Sequence, residues 1–302
     1  MTPVGGPAAT TLAVPAPRQG ERVAPQHIRI GHSPDPDDAF MFYALAQDLI
    51  PSGPFRFEHV LRDIETLNRW AREGRLEITA ISVHAYAYVA DRYRLLPHGA
   101  SMGDRYGPIV VAREPLDPAT LPSRKVAVPG TWTSAFLELQ LAVGRIAEPH
   151  IVPFDAILDE VASGRADAGL VIHEGQLTYG SQGLVNVLDL GEWWDDLTGL
   201  PLPLGANAVR RDLGEDTMAE LSRLLRQSIA YALEHRAPAL AHAEQYGRGL
   251  DRDLADRFVG MYVNDRTLDY GDDGRAAVAE LLRRGHEAGL VPGPVPVDFV
   301  EE

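Results

Sequence analysis

The sequence predicts an α/β protein of two lobes with a ligand cleft between them. Short apolar strand segments alternate with helix-period segments along most of the chain, which argues for sheets of parallel strands covered by helices. A length of 302 residues, 45% of them hydrophobic, is enough for about two cores. The last third turns largely helical, so the alternating part must be shared between the lobes.

In chain order, HIRIGHS reads as a strand that runs through a Pro/Asp turn into the helix-period stretch AFMFYALAQDLI. FRFEHVL alternates as a second strand, and ETLNRWARE is an amphipathic helix stopped by Gly74. EITAISVHAYAYVADRY reads as a strand leading into a helix, followed by the strand GPIVVARE. A further set follows: KVAVPG (strand), TWTSAFLELQLAV (helix), EPHIVPF (strand), AILDEVASG (helix) and AGLVIHE (strand). Residues 189–205 form an aromatic and Pro/Gly-rich stretch read as a rigid wall of the cleft, and three helices follow it. Changes of composition near residues 113–115 and 209–212 place the two lobe crossings there. That gives a large lobe of residues 27–112 and 209–302 and a small lobe of residues 113–208.

Composition narrows the chemistry. The chain has no cysteine, which removes disulfides, thiolate nucleophiles and Cys-ligated metals and leaves oxygen and imidazole groups to act. A net charge of −15 disfavours a nucleic-acid partner and requires any anionic ligand to be held by local groups. Residues 1–26, rich in Pro, Ala and Gly, read as a disordered lead-in. They lack the basic n-region and unbroken apolar core of an export signal, and no window approaches a membrane span, so a cytoplasmic protein without a membrane partner is expected. Composition leaves a homodimer open.

In open α/β sheets ligands bind beyond the carboxyl ends of the strands. Four such places stand out. Ser33 opens a turn that carries Asp35, Asp37 and Asp38; the alternative is an ordinary acidic helix start. A cation there is disfavoured, because the spacing lacks the Gly turn and distal Glu of a calcium loop, and no metal or cofactor is expected. Thr133 and Ser134 begin a helix after Pro129-Gly130, where backbone N–H groups and hydroxyls make a neutral anion receptor or a plain N-cap. Ser82 ends a strand and can donate to the same ligand. His173 ends the strand AGLVI, with Glu174 beside it as a partner or a solvated acid; an imidazole there can exchange a proton near neutrality or be structural.

Several ordered segments resemble the 1,4-dihydroxy-6-naphthoate synthase family of the futalosine route to menaquinone, itself related to periplasmic solute-binding proteins. They are SPDPDDAFMFYAL, DIETLNRWAREGRLEITAISVHAYAYV, KVAVPGTWTSAF, AGLVIHEGQLTY and DLGEWWDDLTGLPLPLGA, spread between about residues 28 and 290. The resemblance implies a periplasmic-binding-protein-like (type II) fold and a lyase that takes cyclic de-hypoxanthine futalosine to 1,4-dihydroxy-6-naphthoate without redox cofactor or metal. It further implies His173 as general base and Ser33, Asp37, Ser82, Thr133, Ser134 and Glu174 around a small-molecule carboxylate substrate.

The chain departs from the family pattern at Asp35, Asp37 and Ala39, where Cys, Asn and Thr are usual, and at Ser134, where a second Thr is usual. An ionised Asp37 facing the cleft would repel an acidic substrate unless protonated or paired. A binding-only protein of the same fold is the competing reading. Chorismate dehydratase shares the architecture, but the IHEG and WW…GLPLPLG segments look more like the synthase.

Overall fold

The computed structural model describes residues 25–246 and 252–301, so most of the expected lead-in lies outside the described residues. Eleven strands are described: β1 (Gln26–His32), β2 (Phe55–Leu61), β3 (Ile78–Ser82), β4 (Tyr93–Leu95), β5 (Ser101–Gly103), β6 (Ile109–Ala112), β7 (Val126–Val128), β8 (His150–Ile151), β9 (Ala168–Val171), β10 (Val185–Asp189) and β11 (Leu202–Arg210). The helices are α1 (Pro36–Met41), α2 (Tyr43–Ala46), α3 (Ile64–Glu73), α4 (Val83–Tyr86), α5 (Ser134–Val143), α6 (Ile157–Ala162), α7 (Gly175–Thr178), α8 (Leu190–Thr198), α9 (Glu215–Glu234), α10 (Arg236–Ala243), α11 (Arg252–Tyr262), α12 (Asp265–Leu268) and α13 (Gly271–Glu287). Short 3₁₀ turns link some of them. No helix among the described residues is long and apolar enough to cross a membrane.

Two sheets define the two lobes. The first runs β2-β1-β3-β11-β4 with β5 also on β11, and the second runs β10-β6-β9-β7-β8. Their strands are not all parallel, contrary to the simple alternation reading. β11 is antiparallel to β3, β4 and β5, and β6 is antiparallel to both β9 and β10. β6 and β11 are the strands with which the chain enters each sheet from the other. No crossover helix within the same sheet brings them back in the parallel sense, so they run opposite to their neighbours.

These two strands also shift the crossings. β6 belongs to the second sheet and β11 to the first, so the chain changes sheet within residues 104–108 and again after β10, ahead of the expected 113–115 and 209–212. The stretch after residue 189 is a helix, α8, whose start is held by the Asp189 side chain accepting from Gly191 and Glu192 N–H. Trp194 on α8 is fully buried and donates to the Pro201 carbonyl at 3.0 Å.

The local rules explain the element ends. α3 begins at Asp63, whose side chain accepts from Thr66 N–H, and ends at Gly74 in the left-handed region at φ 67°. The expected helix over AFMFYALAQDLI breaks at Phe42 into α1 and α2. The first crossing is compressed between two glycines: a Cβ on Gly103 would lie 1.8 Å, and one on Gly191 2.2 Å, from the Tyr106 carbonyl oxygen. Only a residue without a side chain admits that peptide.

One apolar core runs continuously through both lobes, from Ile81 and Tyr86 through Val110, Val128 and Leu137 to Trp194 and Tyr270. A second core fills the helical face of the first sheet, and a third lies beneath α6 on the second. Glu138 of α5 is wholly buried, neither carboxyl oxygen has a hydrogen-bond partner, and burial pushes its pKa well above the usual range. The folded state therefore holds a proton at Glu138 that the unfolded chain releases, so this group lowers stability increasingly as pH rises above the ordinary carboxyl range. Glu138→Gln is expected to raise the urea midpoint at pH 8 and leave it near wild type at pH 4, as read from denaturation curves at the two pH values.

Candidate active site

A cleft lies where the two sheets meet. Its first wall comes from the loop after β1 and the start of α1 (Ser33, Asp37, Asp38), the end of β3 (Ser82), β11 (Ala206, Asn207) and α11 (Phe258, Tyr262). The opposite wall is the start of α5 (Thr133, Ser134, Ala135) with Ile172. The expected residues Ser33, Asp37, Ser82, Thr133 and Ser134 thus converge; His173 and Glu174 do not line the cleft.

The three hydroxyls differ in what they can still do. Thr133 Oγ1 accepts from Phe136 N–H and donates to the Gly130 carbonyl, both at 3.2 Å, so it caps the helix and is spent. Ser134 Oγ donates to the Leu204 carbonyl and accepts from His84 N–H, which ties α5 to β11 and α4 of the first lobe. Ser82 Oγ accepts from Asn68 Nδ2 at 3.0 Å, while Asn68 Oδ1 accepts from Ser82 N–H at 2.9 Å. Its own O–H remains available to the cleft. The N–H groups of Ser134 and Ala135, in the first turn of a ten-residue helix, have no acceptor within that helix. Ser82 O–H and these two N–H groups are uncharged hydrogen-bond donors contributed by residues that line the cleft.

The wall is braced from behind. Asn68, fully buried on α3, also donates to the Trp132 carbonyl at 3.3 Å, and Glu65 accepts from Trp132 N–H at 3.1 Å. His84 Nδ1 donates to the Thr133 carbonyl at 3.2 Å, and burial pushes the His84 imidazole down to about 4, so it sits neutral in this frame.

Asp37 presents a mixed picture that its surroundings resolve. As a residue it is partly exposed, yet its Oδ1 is occluded and has no partner. Desolvation, then Asp38 and Asp35, push its carboxyl well above the usual range. Asp38, whose Oδ2 accepts from Ser33 N–H at 2.6 Å, is pushed up to about 6, chiefly by burial. That shift favours the protonated form, in which Asp37 is a donor and not a repelling charge.

His173 is only 6% exposed and turned out of the cleft. β9 ends at Val171; Ile172 just beyond it lines the cleft, and His173, in the bend that leads into α7, does not. Its Nδ1 accepts from Gly175 N–H at 2.8 Å and its Nε2 donates to the Phe154 carbonyl at 2.7 Å, which fixes a neutral tautomer. The Glu174 carboxylate is 3.7 Å from Nδ1, beyond hydrogen-bond length, so backbone groups and not Glu174 orient the ring here.

Sequence reasoning missed Asn68, Asn207, Phe258 and Tyr262. Asn207, 1% exposed, donates to the Gly99 carbonyl at 3.1 Å and is a lone amide inside the apolar run LPLGANAV, a signal that could have been used. Phe258 and Tyr262 stand four residues apart on one face of α11 and read as core. Among the described residues no group of three His, Asp or Glu is arranged to hold a metal ion.

Two sheets joined by two crossings, with a cleft lined by both, define a two-lobed α/β cleft protein. Protein AF1704 from Archaeoglobus fulgidus is similar at 48% identity with a TM-score of 0.84, over 88% of this chain and 98% of that one. The alkanesulfonate-binding protein SsuA from Xanthomonas axonopodis shares the fold at 16% identity and a TM-score of 0.66, over 91% and 97% of the two chains. The fold is therefore periplasmic-binding-protein-like. Residues 28–287 match the family model described as menaquinone biosynthesis, and the chain belongs to that family. Curated relatives named 1,4-dihydroxy-6-naphtoate synthase are 47% identical in Thermus thermophilus, over 89% of this chain and 98% of the relative, and 38% identical in Streptomyces coelicolor, over 90% and 98%. The protein is an enzyme of menaquinone biosynthesis.

Proposed function

We propose that this enzyme is a carbon–carbon lyase that converts cyclic de-hypoxanthine futalosine to 1,4-dihydroxy-6-naphthoate. The observation that carries the reading is the neutral receptor of Ser82 O–H with the Ser134 and Ala135 N–H groups, which suits the carboxylate of that substrate, in a chain 47% identical to a relative of that name. Asp37, as a neutral acid, donates to a substrate oxygen from the facing wall. His173 moves the proton that starts cleavage. To do so it gives up the Gly175 N–H, which frees the Nδ1 lone pair, and the segment that bears it turns toward the cleft.

Incubation of the purified protein with cyclic de-hypoxanthine futalosine at neutral pH, with product followed by mass spectrometry, tests this. Naphthoate formation is expected; well-folded protein that forms none overturns the reading. Binding without turnover overturns the lyase reading as well.

A further inference from the structure

A buried side-chain hydrogen bond ties the segment that carries His173 to the opposite lobe. Gln176, in α7, donates its backbone N–H to the His173 carbonyl at 2.9 Å. Its side-chain Oε1 accepts the Tyr262 O–H at 2.9 Å from the last residue of α11. Both residues are buried, at 8% and 3% exposure, and Gln176 Nε2 is occluded without a partner, so the carboxamide is held through Tyr262.

Tyr262 is itself a junction. Its ring lines the cleft together with Phe258, and it lies edge-on to Tyr106 of the first crossing, with ring centroids 5.9 Å apart. Tyr106 in turn donates its O–H to the carbonyl of Met261, the residue before Tyr262. A ligand in the cleft therefore touches the same side chain that holds residues 173–178 in place.

We infer that Tyr262 and Gln176 are positioning residues: their phenol–carboxamide bond sets the placement of residues 173–178, and with it His173, in response to what occupies the cleft. The carboxylate receptor is built from β3 and α5, apart from this bond, so its loss acts on turnover and leaves substrate binding nearly intact. The structural part stands on the contact alone; the catalytic part rests on the function proposed above.

The test is a double-mutant cycle with Tyr262→Phe, which removes only a hydroxyl, and Gln176→Met, which keeps the length and removes the acceptor. In ligand-free protein each variant is expected to speed amide exchange in residues 173–178 by about tenfold, and the double variant no further. With substrate, each is expected to lower kcat by about tenfold with KM within about twofold of wild type, again without additivity. Unchanged exchange in residues 173–178 overturns the inference, as does faster exchange with unchanged kcat, which would make the bond structural only. If wild type turns over no substrate, the proposed function fails, and the exchange cycle still decides whether the pair holds the segment.

Discussion

His173→Ala is expected to lower kcat by about a thousandfold while KM changes by less than about threefold, the range removed with a positioned proton-transfer group. The KM expectation follows from where the ring sits: His173 does not line the cleft, so its loss leaves the receptor untouched. The variant also loses two hydrogen bonds, one to the Phe154 carbonyl and one from Gly175 N–H, so its near-UV circular dichroism should be compared with wild type. Steady-state kinetics on folded variant decide the matter. A rate within tenfold of wild type would place proton transfer on another group.

Ser82→Ala is expected to act in the opposite sense, on binding. A hydrogen bond from a neutral donor to a charged acceptor contributes about 1.5–3 kcal/mol, so KM should rise by roughly ten- to a hundredfold with kcat changed little. The frame behind Ser82 survives the change, because Asn68 Nδ2 keeps the Trp132 carbonyl and Asn68 Oδ1 keeps the backbone N–H of residue 82. Thr133→Ala and Ser134→Ala are poor substitutes for this test, since both hydroxyls are spent inside the protein. Equal KM values for Ser82→Ala and wild type would show that the hydroxyl does not reach the substrate.

The strands and helices were legible where a local rule decides them. Alternation found β2 over FRFEHVL, and Gly74 marked the end of α3. Sheet membership was not legible, because β6 and β11 are as apolar as their neighbours and their places depend on partners far away in the chain. Val209 pairs with Ile78, and Val110 with Leu170. The same limit applies to the site. Residue types after β3, β7 and β9 pointed to segments that reach the cleft, but whether a hydroxyl is free depends on contacts such as Ser134 with Leu204. His173 shows the sharpest case: it directly follows Ile172, which lines the cleft, yet a bend past the end of β9 keeps it out of the lining. The interlobe bond of Tyr262 with Gln176 joins residues 86 positions apart and leaves no local trace.

The cleft is expected to grip its substrate by a carboxylate, through Ser82 O–H and the first N–H groups of α5. The most direct measurement is kcat/KM of the wild-type enzyme for cyclic de-hypoxanthine futalosine beside the same compound without its carboxyl group, repeated with Ser82→Ala. The decarboxylated compound is expected to lose about a hundredfold with wild type, and Ser82→Ala to make no further difference to it. Equal turnover of the two compounds by wild type would show that these donors do not hold a carboxylate.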